Sequence, residues 1–174
     1  MSANRTEAAR TGAIDVRRTQ PDEYRVAAAT MSQALLFAPP TDEQWTERAS
    51  SWDDTVSFSA WRGSECLGHA GYFSFDTVVP GGARVATAGV TRVGVATTAR
   101  RQGVASRLMR SLVEAAAEER RPLASLRASE AVIYERFGFG VANSFVAARI
   151  DARRARPVRG AAVGGTFRRL AADE

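Results

Sequence analysis

Residues 84–127 hold the arrangement that most restricts the fold. A long run of small and β-branched residues, RVATAGVTRVGVA (84–96), meets the segment TTARRQG, then a helical stretch, VASRLMRSLVEAA (104–116). Pro122 ends the helix, and a short apolar run, PLASLRA (122–128), follows. Strand, helix and strand in that order require a crossover, and a crossover returns the second strand parallel to the first. An α/β fold follows. The first strand carries apolar residues on both faces, so it belongs in the middle of a sheet covered on both sides. The helix that covers it presents Val104, Leu108 and Leu112, flanked by Ala105, Met109, Val113 and Ala116, as one buried stripe.

The upstream pattern fills in the rest of that sheet. AIDVRR (13–18) alternates as a first strand, and Pro21, Asp22 and Glu23 open a helix running through YRVAAATMSQALLF (24–37) to the Pro39–Pro40 stop. Thr41 and Gln44 are spaced as a capping box for a short second helix, TDEQWTERA. TVSFSAWR and ECLGHAGYFSFDTVV form a hairpin across Gly63–Ser64, and Pro80–Gly81–Gly82 turns the chain into the long strand. Downstream, SEAVIYERFGFG (129–140) reads as a brief helix closed by Gly138, and GVANSFVAARI (140–150) as a final strand. Residues 1–12 read as a disordered arm rather than a secretory signal, because they lack an apolar core. Residues 13–150 form the domain, and the Arg/Gly-rich 151–174 a linker or the start of a missing second region.

Composition removes several function classes. The chain of 174 residues is long enough for one domain with a real core. It has no apolar run long enough to span a bilayer. One cysteine, Cys66, allows no internal disulfide, which fits a reducing cytoplasm. One histidine and one cysteine supply no metal-ligand spacing. All 24 basic residues are arginine, so a Walker loop, which needs lysine, is excluded; the run VGVATTARRQGVA also lacks a dinucleotide fingerprint. The net charge of +5 is compatible with polyanion binding. The tail RRARPVR lacks the interleaved aromatics of a nucleic-acid binder and reads as a solvated end.

The chemistry gathers where the long strand passes into the helix. Arg100-Arg101-Gln102-Gly103-Val104-Ala105 places two guanidinium groups and a bare backbone at a helix start, where N–H groups lack partners and the dipole is positive. Such a site suits a multiply charged anion such as a diphosphate. The pattern Arg/Gln-x-x-Gly-x-Gly/Ala between strand and helix resembles that of the Gcn5-related N-acetyltransferases (the GNAT superfamily), which hold the pyrophosphate of acetyl-CoA there. Read together, TAGVTRVGVATTARRQGVASRLM and ASEAVIYERFGFG narrow the resemblance to the N-terminal acetyltransferase region of the Eis (enhanced intracellular survival) family of actinobacterial enzymes. It covers about residues 13–150.

The resemblance implies a GNAT (acyl-CoA N-acyltransferase) fold: a mixed, mostly antiparallel sheet with helices on both faces. It implies an N-acetyltransferase that moves the acetyl group of acetyl-CoA directly to a primary amine within a ternary complex. Backbone groups of Val93 and Val95 would pair with the pantetheine arm, and Arg100, Arg101, Gly103 and Ala105 would hold the pyrophosphate. Ser129 would lie near the pantetheine or acetyl end, and Tyr134 would be the general acid. Eis proteins are more than twice this length and use their own terminal carboxylate as base, so the base here is left open. The acceptor, a small-molecule or protein amine, and the oligomeric state are equally open. The alternative is a catalytically impaired acyl-CoA-binding module or a fragment of a longer Eis-like enzyme.

Outside that constellation, His69 offers a base or a hydrogen-bonded structural residue, the second being the commoner outcome for a lone histidine in a strand. Cys66 reads as a packed small residue. Asp53, Asp54 and Asp76 read as solvated loop acids that would also attract a cationic amine.

Overall fold

The computed structural model describes residues 12–128, 130–156, 160, 164–166 and 168. The chain divides after Gly140 into two compact units. The first unit begins its regular structure with β1 (Asp15–Arg18), a 3-10 turn (Pro21–Glu23) and α1 (Tyr24–Ala34). Two short helices, α2 (Asp42–Arg48) and α3 (Ser50–Asp53), lead into β2 (Thr55–Arg62), β3 (Glu65–Val78) and β4 (Arg84–Val95). A second 3-10 turn (Thr97–Ala99), α4 (Val104–Glu118), β5 (Leu123–Leu126) and α5 (Val132–Glu135) complete it.

The strands described form one sheet in the order β1-β2-β3-β4-β5. The first three pairings are antiparallel, and β4 pairs parallel with β5, as the crossover through α4 demands. Gly63, at φ 57°, turns the β2–β3 hairpin, and Gly81 and Gly82, at 93° and 83°, turn the next. Both turns fall where the sequence puts them. β3 and β4 slip register between His69 and Gly71: Gly94 lies opposite His69 and Thr91 opposite Gly71. Two β4 residues, Arg92 and Val93, therefore share one β3 residue, Ala70, in a β-bulge.

Each face of the sheet has its own core. α4 lays Val104, Leu108, Met109, Leu112, Ala115 and Ala116 over Ala60, Leu67, Ala70, Tyr72, Ala88 and Val90. Val113 falls outside this stripe at 41% exposure, because the 3.6-residue period carries it around the helix, and Ala115 faces inward instead. On the other face Ala27 and Ala28 of α1 pack with Trp52 of α3, Tyr24 and Trp45. The capping box of α2 is present, with Gln44 N donating to Thr41 Oγ1 at 3.3 Å and Thr41 N to Gln44 Oε1 at 3.2 Å.

Two sequence expectations are corrected. The first helix ends at Ala34 rather than reaching Phe37. Leu36 takes φ 64°, Phe37 N donates to Ser32 O and Leu36 N to Gln33 O, a C-terminal lock built without its usual glycine. The final strand over 140–150 is also not formed. Residues 141–150 carry no regular element, and Val141, Phe145, Val146 and Ile150 are mostly exposed. Alternating apolarity makes a strand only where a neighbouring ladder satisfies its backbone and a face covers its side chains. In the second unit the described order is local: a turn in which Arg154 N and Ala155 N donate to Asp151 O.

Candidate functional site

β4 and β5 separate where the site begins. Their ladder runs from Thr87↔Leu123 to Val90↔Leu126, and from Thr91 onward β4 has no partner on that side among the described residues. Ala96 N donates to Leu67 O of β3 at 2.9 Å. Backbone polar groups alternate edge by edge along a strand, so Gly94 also addresses β3, while the N–H and C=O of Val95 and Val93 face the open edge. Both valines are half-buried against the α4-side core, which leaves their backbone as the groups offered outward. An extended ligand could add there as a strand would.

The open edge runs into the start of α4. Ala99 is fully buried and pins the 3-10 turn, after which Arg100 and Arg101 are exposed. Arg101 takes φ 61°, and Gly103, the N-cap of α4, takes φ 76° and ψ 5° with no side-chain cap. A Cβ on Gly103 would meet no protein atom within 4 Å, so its left-handed φ, not crowding, is what calls for glycine. Val104, 1% exposed, anchors the first turn against the core, while Ala105 is half-buried. The amides of Val104, Ala105 and Ser106 precede any intrahelical acceptor and carry the positive end of the dipole. Neither Arg100 nor Arg101 forms an ion pair among the described residues.

Tyr134 sits in α5, half-buried, and packs on the same core as Val93 and Val95. Its ring meets Phe139 edge-on at 6.1 Å. Phe137 N and Phe139 N both return to Tyr134 O, and Gly138 at φ 88° closes the turn. Burial pushes the phenol above its ordinary pKa of 10. The hydroxyl therefore stays protonated across neutral and mildly basic pH. Ser129 lies outside the described residues.

The sequence did not single out the loop's supports. Gln102 donates through Nε2 to Thr98 O at 3.0 Å and accepts from Arg62 at the end of β2. Arg107 reaches across to Ile14 O at 2.6 Å. Arg92, half-buried in the bulge, was missed as well. Its guanidinium donates to Thr55 Oγ1 at 2.8 Å and to Ser51 O and Oγ at 3.1 and 2.8 Å, and lies 4.4 Å from the Trp52 ring centre. An arginine inside an otherwise small and β-branched strand was the available signal.

His69 is structural. It is fully buried, its Nδ1 shares a hydrogen bond with Ser59 Oγ at 3.0 Å, and Ser59 Oγ meets Thr19 Oγ1 at 2.9 Å. Trp52 stacks at 4.9 Å. Burial, helped by the Arg92 charge, pulls its pKa down to about 3, so the ring is neutral and out of reach of an acceptor. Cys66 is buried, and burial pushes its thiol up. Asp76 pairs with Arg84 at 3.4 Å on the β3–β4 hairpin. Among the described residues no His/Cys/Asp/Glu group could hold a metal ion, and no helix is long and apolar enough to cross a membrane.

Comparison with known proteins extends this geometry. A family model described as acetyltransferase (GNAT) domain matches residues 15–142. An uncharacterized N-acetyltransferase of Streptomyces avermitilis is 37% identical over 142 residues, covering 82% of this chain and 35% of that protein. N-acetyltransferase Eis of Mycobacterium tuberculosis is 34% identical over 163 residues, covering 78% and 40%. The crystal structure of Eis1 from Mycobacterium abscessus superposes with a TM-score of 0.63 at 33% identity, over 74% of this chain and 31% of that one. The chain thus spans well under half the length of these relatives.

Proposed function

Since the chain belongs to the GNAT acetyltransferase family, we propose that it transfers the acetyl group of acetyl-CoA to a primary amine, by direct attack within a ternary complex. The observation that carries the proposal is that the edge of β4, unpaired at Val93–Val95 among the described residues, leads along the chain into the left-handed start of α4 at Gly103. It fits a ligand that is strand-like at one end and a diphosphate at the other, which is the shape and charge of acetyl-CoA.

In this reading Val93 and Val95 pair through their backbone with the pantetheine amides, and the N–H of Val93 also stabilises the oxyanion that forms on the thioester carbonyl. Arg100 and Arg101, with the amides following Gly103, hold the pyrophosphate by charge-assisted hydrogen bonds. The amine nitrogen bonds to the carbonyl carbon, the carbon–sulfur bond breaks, and Tyr134 gives its proton to the departing sulfur. A thiol of pKa about 8.5 takes that proton readily once charge has developed. The raised phenol pKa supports this role, because Tyr134 holds its proton until the sulfur needs it. The acceptor amine gives up one proton to solvent or to a base beyond these residues. A cytoplasmic location, where acetyl-CoA is supplied, belongs to the same proposal.

The test is thiol release from acetyl-CoA across a panel of small amines and amine-bearing peptides. Amine-dependent release supports the transferase. Acetyl-CoA binding with no release for any amine from pH 6 to 9.5 replaces it with an acyl-CoA-binding module (the range spans roughly the thiol pKa and the approach to a free amine's).

A further inference from the structure

We infer that Arg92 is a positioning residue: by anchoring its side chain across the sheet it holds the β4 bulge, and the bulge turns the amides of Val93 and Val95 to the open edge. The inference rests on the acetyl-transfer reading for its consequence, though the bulge itself can be tested separately.

The bulge does two things that a regular strand could not do together. Were β4 regular past Thr91, Arg92 would face Ala70, Val93 would face His69, and Gly94 would face Gly68. Val93 would then take the place now held by Gly94, beneath α1. A single Cβ at that place already lies 3.1 Å from Met31 Cα and 3.2 Å from Ala34 Cβ, so an isopropyl group there would force α1 off the sheet. The backbone would change phase as well. Val93 would spend its N–H on β3, and Gly94 would face the edge in its stead. One extra residue thus lets α1 close on glycine and leaves Val93 and Val95 free.

Where the extra residue of a bulge takes a left-handed φ, it is normally a glycine. Here it is Arg92 at φ 56°. What offsets the unfavourable backbone is the guanidinium, which bonds three oxygens of Ser51 and Thr55 and stacks on Trp52. Trp52 in turn packs on His69, which Ser59 and Thr19 fix from behind. The brace therefore reaches from the bulge through α3 and β2 to the strand that the bulge faces. Arg92 has no carboxylate within 4.0 Å among the described residues, so its partners are neutral groups that position it rather than neutralise it.

The test compares Arg92→Gly with Arg92→Ala in the whole chain. Both lose the brace, but only alanine also keeps the cost of a left-handed φ. Amide exchange in the wild type should be slow at Gly94 and Ala96 and fast at Val93 and Val95. Arg92→Gly should keep that order, while Arg92→Ala loses protection at Gly94. Acetyl-CoA kcat/KM should fall roughly five- to thirtyfold further in the Ala variant than in the Gly variant, the scale of the left-handed penalty. Both melting temperatures should fall, that of Arg92→Ala further, since it alone also keeps the left-handed cost. Equal kinetics in the two variants, or wild-type exchange at Gly94 in Arg92→Ala, overturns the inference. If the wild type binds no acetyl-CoA, the transfer reading fails, and the exchange order still decides whether Arg92 holds the bulge.

Discussion

Replacing Tyr134 with phenylalanine separates catalysis from folding because the structure assigns the hydroxyl almost nothing to do in the fold. The ring packs on Phe139 and on the α4-side core, and phenylalanine keeps both contacts. No described residue hydrogen-bonds the hydroxyl, so no such bond, worth about 1 kcal/mol net, is given up. Stability should change by less than about 0.5 kcal/mol, which for a chain of this size moves the melting temperature by under ~2 °C. In the proposed role the lost proton donor acts only on the breaking carbon–sulfur bond. A general acid contributes about 10²–10⁴ in rate, or ~2.7–5.4 kcal/mol of barrier. Turnover of Tyr134→Phe should fall by that factor while the acetyl-CoA dissociation constant stays within about twofold. The wild-type rate should decline at high pH as the phenol loses its proton. Because burial raises that pKa above 10, the decline begins above the range of an ordinary tyrosine, and it should vanish in the variant. Thiol release, acetyl-CoA titration and thermal melting on the two proteins supply all three numbers. Turnover within about threefold of wild type at unchanged affinity would refute the acid role.

Gly94→Ala should destabilise the protein by about 1–3 kcal/mol, since the added carbon stands 3.1 Å from the Met31 backbone and cannot be relieved by a side-chain rotation there; chemical denaturation measures it, and a neutral result would show that α1 is free to shift. Arg100→Ala with Arg101→Ala should weaken acetyl-CoA binding and flatten its salt dependence while the unliganded melting temperature holds, because both side chains are exposed. Titrations at low and high salt check this. Glu23 is held below the ordinary carboxylate pKa of 4.5, first by its hydrogen bonds from Arg17. Its contribution is therefore present above the unfolded pKa and lost as pH falls through the lower folded value. Melting curves below pH 5 should show wild type losing more stability than Glu23→Gln, and parallel curves would count against the pair.

Local chemistry was legible in the sequence wherever one residue type answers one backbone need. Gly63, Gly81, Gly82, Gly103 and Gly138 all take left-handed φ at turns or at a helix start, and Thr41 with Gln44 caps α2. The order strand, helix, strand fixed a parallel β4–β5 pair, and the buried positions of α4 followed from its period except that Val113 is exposed, Ala105 is half-buried and Ala115 is buried in their stead. The α4 start, with Arg100, Arg101 and Gly103, could be named because charge, glycine and helix position coincide within six residues. The failures share a cause. Residues 140–150 have the alternation of a strand, yet a strand needs a partner ladder, which no local pattern contains. Leu36 takes a glycine's conformation because surrounding hydrogen bonds hold it there.

What only the tertiary structure decided is the register of β4. Its sequence of small and β-branched residues is almost equally compatible with two phases one residue apart, and the strand's own preferences do not choose between them. The choice comes from groups distant in the chain: Met31 and Ala34, which crowd any side chain placed against them, and Ser51, Trp52 and Thr55, which hold Arg92 in an unfavourable backbone state. The sequence by itself determined that a helix start with two arginines would follow this strand. Where the strand's free amides point is a matter of packing between elements, because a period of two carries no information about its own origin.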